Sequence, residues 1–219
     1  MPSIEAAIIP VTPLQQNCTI IWDHDTMVGA VIDPGGDVPV ILKEIEERGI
    51  RIEKIILTHG HVDHAAGAAE LREHLGVEIF GPHIADEFLL NSLVQTAREY
   101  GLPGARNVTP DHWLEEGGKI TIANLPFEIF HCPGHSPGSL IFVMAAIKFA
   151  IVGDVLFHNS IGRTDFLYGD HDALIEAIRT KLLPLDDETQ FICGHGPGSS
   201  IGAERANNPF LQGLVPPTG

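Results

Sequence analysis

The stretch Thr58–His64 reads Thr-His-Gly-His-Val-Asp-His and places three imidazoles and one carboxylate within six positions. The apolar run Lys54–Leu57 precedes it and is typical of a buried strand, and the run Ala65–Leu71 behind it is typical of a helix. A turn between two packed elements can hold several ligands together. Neutral imidazoles suit zinc, iron and similar metals, and a carboxylate compensates charge. The stretch therefore predicts a metal site.

Three later residues share one setting, in which an apolar, strand-like run leads into a loop containing Gly, Pro or both. They are His135 in Cys-Pro-Gly-His-Ser-Pro-Gly, Asp154 after Ile-Val-Gly, and His195 in Cys-Gly-His-Gly-Pro. Loops at strand ends are where side chains from distant parts of a chain converge. We expect these three residues to complete the site that Thr58–His64 begins.

These motifs, which run from Thr58 to Pro197, resemble the metallo-β-lactamase superfamily of hydrolases. More narrowly, they resemble the short glyoxalase-II-type, or hydroxyacylglutathione hydrolase-like, thioesterases that lack a C-terminal helical domain. The order of strands and helices alone predicts only an α/β or α+β sandwich. The resemblance implies the four-layer αββα sandwich, with metals at one edge between two central sheets. We expect residues 1–219 to form a single domain of this type.

The resemblance also implies ligands for two divalent metal ions. One metal is held by three histidines: His59, His61 and His135. The other metal is held by a mixed group: Asp63, His64 and His195. Asp154 bridges the two, because a carboxylate oxygen can be shared. Zinc is the favoured ion, although sites of this kind also accept iron or manganese.

The chemistry expected of this centre is hydrolysis. Two metals about 3.5–4 Å apart lower the pKa of a shared water and make hydroxide available near neutral pH. The hydroxide attacks a carbonyl carbon, and a metal offsets the charge that develops on the oxygen. A thioester suits this arrangement, because a thiolate leaves without a strong general acid. We expect S-lactoylglutathione or a related hydroxyacyl thioester as substrate, with Asp63 and the metal-bound water as the catalytic groups.

The segment Ser160–Phe166, just beyond the bridging carboxylate, is predicted to meet the substrate. In glyoxalase II a Gly-Lys-Phe-Tyr segment stands here; Arg163 takes the place of the Lys, and the Tyr is absent. Two roles stay open for Arg163, a bidentate grip on a substrate carboxylate or a structural ion pair with Asp165. His158 follows Asp154 closely and is a further candidate for the pocket wall.

Asp33 has two interpretations. It precedes Pro-Gly-Gly and could simply form the turn that ends a strand. In the superfamily an Asp at this strand end orients a metal-bound His, fixing its tautomer and ring direction.

Two of the helices that the pattern predicts lie before and after the stretch Thr58–His64. Asp37 is expected to cap one of them. Apolar spacing through Phe88, Leu89, Leu93 and Ala97 predicts the other over Ala85–Tyr100. Its apolar stripe could pack internally or against another subunit.

Composition and charge disfavour several classes of function. The chain has 13 basic and 29 acidic residues, a net charge of -16, which disfavours a nucleic-acid partner. Its 3 cysteines are widely spaced, as expected for reduced thiols. There is no leader pattern, and the apolar run Leu140–Val152 is too short to span a bilayer. We expect a cytoplasmic monomer or small homo-oligomer that acts on a small molecule, away from nucleic acid and membrane.

Four other functions stay open. Gly162–Phe166 also resembles the persulfide dioxygenases of this superfamily, in which two His and one Asp hold a single iron. The flanks of His195, Gly-His-Gly-Pro, favour a hydrolase instead. The ligand set also permits a lactonase or a β-lactamase. A metal-binding module without catalysis is the last alternative, and a complete two-metal ligand set disfavours it.

Overall fold

Two β-sheets pack face to face between layers of helices in the computed structural model, which describes residues 4–214. The first sheet contains five strands in sequential order: β1 (Ile4–Val11), β2 (Gln16–Asp23), β3 (Val28–Ile32), β4 (Arg51–Ile56) and β5 (Glu78–Phe80). β1, β2 and β3 are antiparallel, whereas β4 and β5 run parallel to β3. The parallel pairs require helical crossovers, which lie on the outer face.

The second sheet contains six strands: β6 (Lys119–Ile122), β7 (Leu125–His131), β8 (Leu140–Met144), β9 (Phe149–Ile151), β12 (Gln190–Ile192) and β13 (Ser199–Ser200). Its spatial order is β13-β12-β9-β8-β7-β6. The strands are antiparallel except for the parallel pair of β9 and β12. Between β9 and β12 the chain forms a small hairpin of β10 (Leu156–Phe157) and β11 (Ser160–Ile161).

Within residues 4–214, seven α-helices complete the layers: α1 (Val38–Arg48), α2 (Val62–Ala65), α3 (Ala68–Leu75), α4 (Glu87–Leu90), α5 (Leu93–Tyr100), α6 (His171–Ala177) and α7 (Ile201–Asn207). Ile41 of α1 and Leu71 of α3 are buried in the cluster that covers the first sheet. Leu174 of α6 and Ile201 of α7 are buried in the cluster that covers the second. Each outer layer thus shields one sheet face from water.

The core between the sheets follows from strand alternation, because successive side chains point to opposite faces. Ile21 and Ile32 project inward from the first sheet and meet Phe127, Ile129 and Phe142 of the second. All five are buried. The αββα sandwich of the α/β class that the resemblance implied is confirmed.

Two elements differ from their prediction near Thr58–His64. The helix begins at Val62, inside the motif, and breaks before α3 begins at Ala68. Gly67 explains the break: its N–H donates to the Pro34 carbonyl at 2.9 Å, and a Cβ there would lie 2.7 Å from the same oxygen. Asp37 is the N-cap residue of α1, as expected, but its side chain makes no capping hydrogen bond. Its backbone is left-handed, and its carboxylate accepts instead from the Thr12 N–H at 2.7 Å.

The predicted helix Ala85–Tyr100 is also interrupted. It consists of a 3-10 turn over Ile84–Asp86, then α4, then α5. Both the N–H and the hydroxyl of Ser92 donate to the Leu89 carbonyl, at 3.0 Å each, and such local bonds compete with helical ones. The break divides the expected stripe, so that Leu93 is buried in the core while Phe88 is exposed.

The apolar run Leu140–Val152 forms β8 and β9, joined by a 3-10 turn over Ala145–Ile147. Within residues 4–214, no helix has the length and apolar character needed to cross a membrane.

Candidate metal centre

Four loops converge at one edge of the sandwich, each following the carboxyl end of a strand. The loop after β4 and the short helix α2 carry the first four candidate ligands: His59, His61, Asp63 and His64. The loops after β7, β9 and β12 carry one candidate each: His135, Asp154 and His195. The structure therefore brings together all seven residues for which the sequence predicted a ligand role.

The candidate ligands form two groups. In the first, donor atoms of His59, His61 and His135 lie within 4.8 Å of one another, and His59 Nε2 is 3.0 Å from His61 Nδ1. The second consists of Asp63, His64 and His195, whose donor atoms also lie within 4.8 Å of one another. These are the two groups that the resemblance implied.

Asp154 lies between the groups. Its Oδ1 is 3.3 Å from Nε2 of His64, in the second group. Its Oδ2 is 3.4 Å from Nε2 of His135, in the first. Oδ1 thus faces an imidazole of the second group and Oδ2 faces an imidazole of the first, so the carboxylate lies within reach of both groups.

The buried polar atoms at this edge fit metal ions. Three buried atoms of the centre have no hydrogen-bond partner within residues 4–214: His64 Nε2, His135 Nε2 and Asp154 Oδ1. Leaving a buried polar atom unsatisfied is costly and calls for an explanation such as a bound ion. Because all three atoms are suitable donors to zinc, iron or manganese, the residues present fit divalent metals.

Asp33 and Thr58 contact the imidazoles of His64 and His59 on the side that faces away from the centre. Asp33 is buried, and its Oδ2 lies 2.9 Å from His64 Nδ1. The same carboxylate accepts from the N–H and the hydroxyl of Thr58, at 2.7 and 2.6 Å. The Thr58 oxygen lies 3.0 Å from His59 Nδ1 and is free to accept from it. These contacts leave Nε2 of His59 and His64 facing the centre, and they favour the interpretation of Asp33 as an orienting carboxylate.

Two further contacts fix His61 and His135. His135 Nδ1 donates to the backbone carbonyl of Arg163 at 2.9 Å, so its Nε2 is available as a ligand atom. The hydroxyl of Tyr168 lies 2.9 Å from His61 Nε2, so His61 faces the centre through Nδ1. The sequence comparison with glyoxalase II found no Tyr in this segment. Tyr168 nevertheless brings a hydroxyl to the site, and its position two residues beyond Phe166 was the available signal.

The two groups differ in the direction in which the pKa values of their histidines are shifted. Burial and the neighbouring imidazoles lower the pKa of His61 to about 3 and that of His59 well below its usual range. Burial also acts to lower the pKa of His64, but the carboxylates of Asp154, Asp63 and Asp33 outweigh it and raise that pKa well above the usual range. His59 and His61 of the first group are thus neutral near pH 7, while His64 of the second carries a proton that a metal must displace.

Asp86 joins two of the ligand loops and was missed by sequence reasoning. It is buried, and its carboxylate accepts from Gly60 N–H at 2.8 Å and Gly138 N–H at 2.6 Å. It also accepts from the Ser136 hydroxyl at 2.7 Å. Burial raises the pKa of Asp86, although these donors counteract it. No motif surrounds Asp86, and it lay within a predicted helix, so the sequence offered no signal for this role.

The two side chains that were predicted to meet the substrate, Arg163 and His158, both contact carboxylates of the protein. Arg163 is exposed, and its Nε and Nη2 donate to both carboxylate oxygens of Asp165 at 2.6 and 2.7 Å. The ion-pair alternative is therefore the one that its contacts favour. His158 does not belong to the pocket wall. It is exposed, and its Nδ1 lies 3.3 Å from buried Glu204, because the β10–β11 hairpin turns it away from the centre.

A cavity of about 590 Å³ opens in front of the metal centre. Its floor contains ligands of both groups, including His61, Asp63 and His195. Its walls come mainly from α4, α5 and the segment 157–168, and their side chains are largely apolar. The cavity gives a small molecule access to the candidate ligands.

Several known proteins are similar to this chain in sequence and in fold. The sequence profile of the metallo-β-lactamase superfamily matches residues 11–195. Hydroxyacylglutathione hydrolase GloC of Haemophilus influenzae is 48% identical over 206 residues, which cover 94% of this chain and 97% of that protein. The solved structure of BLEG-1, a B3 metallo-β-lactamase, superposes with a TM-score of 0.88 at 34% identity, covering 95% of this chain and all of the other. The di-iron-bound form of TTHA1623 gives a TM-score of 0.84 at 33% identity, with 94% and 100% covered.

Proposed function

Because the chain belongs to the metallo-β-lactamase superfamily, as its motifs predicted, we propose that it is a metal-dependent thioester hydrolase with S-lactoylglutathione or a related hydroxyacyl thioester as substrate. The observation that carries the proposal is the position of Asp154, whose two oxygens face one imidazole of each donor group. The name of the relative from Haemophilus influenzae supports the choice of substrate.

The first metal would be held by His59, His61 and His135. The second would be held by Asp63, His64 and His195, with Asp154 shared between them. When bound, such a pair supplies a water of lowered pKa and offsets charge on a carbonyl oxygen. Zinc, iron and manganese are all compatible with these donors.

The remaining residues prepare this site. Asp33 and Thr58 fix the ring directions of His64 and His59, which keeps both Nε2 atoms aimed at the centre. Asp86 ties the loop of Gly60 to that of Gly138, so the first group keeps its spacing. The cavity admits the thioester from the side of α4 and α5. A thiolate leaves without a dedicated acid, so this role requires no further side chain.

The second donor group supports two metals rather than one. A persulfide dioxygenase of the predicted kind needs only two His and one Asp for a single iron. Here Asp63, His64 and His195 converge as a further set. This arrangement favours the hydrolase over the dioxygenase.

We also propose a single-domain enzyme that works in the cytoplasm. All three cysteines, Cys18, Cys132 and Cys193, are buried free thiols, as is usual in a reducing compartment. The net charge of -16 supports a small molecule rather than a nucleic acid as partner.

The decisive experiment is the initial rate of S-lactoylglutathione hydrolysis by protein whose metal content has been quantified. We expect thiol release with about two metals per chain. Two metals without thiol release would remove the glutathione thioester from the proposal, and hydrolysis of a lactone or a β-lactam by that sample would replace it. A single iron with oxygen consumption on a persulfide would overturn the hydrolase.

A further inference from the structure

A row of aromatic rings leads from the metal centre towards the mouth of the cavity. The ring centroids of His61 and Phe166 are 5.0 Å apart, and Phe166 stacks on Tyr168 at 5.3 Å. Tyr168 meets Phe88 edge to face, again at 5.3 Å. Rings at these separations are in favourable contact. Together Phe166, Tyr168 and Phe88 form a continuous surface, here termed the aromatic wall.

Large apolar side chains remain exposed at the mouth of the cavity, and the outer ring of the wall is one of them. The exposed fractions of Leu14, Phe88 and Tyr100 are 39%, 47% and 52%, and all three line the cavity. Scattered exposed apolar residues need no explanation, but a contiguous group at a cavity often marks a binding site. The mouth therefore offers an apolar surface that a ligand could cover.

The cavity offers little charge to a polar substrate. Arg163 is the one Lys or Arg that lines it within the described part of the chain, and Asp165 already engages its guanidinium through two bonds. The lining carboxylates are Asp63 and Asp154, both in the metal centre. The carboxylates and the ammonium group of a glutathione moiety would thus find no unengaged opposite charge among these lining residues.

We propose that the aromatic wall binds an apolar group of the substrate, so that the enzyme prefers thioesters bearing a phenyl or similar apolar group to S-lactoylglutathione. This inference rests on the proposed thioester hydrolysis. In the reaction, water adds its oxygen to the acyl carbon, the C–S bond breaks, and the thiol leaves with a proton. No other reactant is needed. The apolar group could sit on the acyl or the thiol part, since both lie beside the reacting carbon.

Three thioesters show whether the acyl or the thiol part meets the wall. S-lactoylglutathione carries no phenyl. S-mandeloylglutathione carries one in the acyl part, and the lactoyl thioester of benzyl mercaptan carries one in the thiol part. Each kcat/KM is divided by the uncatalysed hydroxide rate to remove intrinsic reactivity. We expect at least one phenyl thioester to exceed S-lactoylglutathione by about tenfold. Which one does so identifies the part of the substrate that meets the wall.

Phe88→Ala removes the outer ring of the wall. It should lower kcat/KM for the preferred phenyl thioester about tenfold, and that for S-lactoylglutathione by a clearly smaller factor. Phe210→Ala is the matched control, because Phe210 has the same 47% exposure but does not line the cavity. We expect this control to leave all three rates unchanged.

Calorimetry of the metal-loaded protein with two unreactive thioethers provides a readout independent of turnover. S-benzylglutathione should bind more tightly than S-methylglutathione if the acyl side faces the wall, and Phe88→Ala should remove the difference. Equal rates for all three thioesters, or an equal loss for all of them in Phe88→Ala, would overturn the wall while leaving the thioesterase intact. If no thioester is hydrolysed, the proposed function fails. The wall would then be overturned as well if S-benzylglutathione and benzyl methyl thioether, which carries a phenyl without glutathione, each bound the unaltered protein and Phe88→Ala equally.

Discussion

The two donor groups of the metal centre lie side by side but differ in charge. The first consists of three imidazoles, and burial lowers the pKa of His59 and His61 below the usual range. The second mixes His64 and His195 with a carboxylate, and nearby carboxylates raise the pKa of both histidines against the effect of burial. His59 and His61 are therefore ready to bind a metal at neutral pH, whereas the second group must first release a proton from His64.

The largest effect is expected from Asp154→Asn, which removes the charge shared by both groups at nearly constant volume. We expect metal content below one per chain and a loss of activity greater than the roughly 10–100-fold typical of outer-shell substitutions. Metal analysis after gel filtration measures the first, and thiol release the second. Asp25→Asn, in an exposed turn, is the control and should change neither. Two metals retained in Asp154→Asn would defeat the bridging role.

A smaller effect on metal affinity is expected at Asp33, which contacts His64 directly and His59 through Thr58. Asp33→Asn should weaken metal binding about 10–100-fold, as expected for an outer carboxylate. Asn tolerates the left-handed backbone found at this position, where φ is 51°. Thr58→Val keeps the carboxylate on His64 and should mainly weaken the first group. Competition with a chelator measures both affinities, and an unchanged affinity in Asp33→Asn would leave only the turn-forming role.

Acidification should empty the two groups in sequence. Because its neighbouring carboxylates raise the pKa of His64, protons compete with the metal there at higher pH than at His61, whose pKa is about 3. We expect two steps of metal loss as the pH falls, with the second group emptied first. In metal-free protein the raised pKa of His64 stabilises the fold below pH about 6.5, and this contribution disappears as pH rises through the folded pKa. A single step of metal loss would contradict the difference between the groups.

The sequence predicted the ligands better than their surroundings. One short motif contains four of the candidate ligands, so the sequence alone predicted a metal site there: His59, His61, Asp63 and His64. Asp86 could not be found this way, because its donors come from loops far along the chain and meet it only after folding.

Local bonds account for further differences. Ser92 breaks a helix that its apolar spacing favours, by bonding the Leu89 carbonyl. Because of that break, Phe88 lines the cavity. The shape of the cavity therefore depends on a competition between local side-chain hydrogen bonds and helical ones, which the spacing of apolar residues does not reveal. Tyr168 was missed for a related reason, since it occupies a different position in the segment from the Tyr of glyoxalase II.

Tyr168→Phe tests the support of the first group alone. The ring remains in the aromatic wall, but His61 Nε2 loses its hydroxyl partner. A lost hydrogen bond of this type costs about 1 kcal/mol, so we expect metal affinity of the first group to fall about fivefold. The second group, which Tyr168 does not contact, should keep its affinity. Metal titration monitored by calorimetry distinguishes the two, and equal weakening of both groups would show that Tyr168 acts on the whole centre.

The smallest effect should come from Asp165→Asn, at the cavity edge beyond both groups. Arg163 would lose the partner that holds its guanidinium, and it would become available to a substrate carboxylate. Because exposed ion pairs contribute only about 0.2–1 kcal/mol, we expect KM for carboxylate-bearing thioesters to fall by no more than about fivefold. Metal content should not change, since neither residue is a candidate ligand. Arg163→Ala in the same background should abolish the gain. If Asp165→Asn leaves KM unchanged, the ion pair is structural, and discrimination in this cavity depends on its apolar wall rather than on charge.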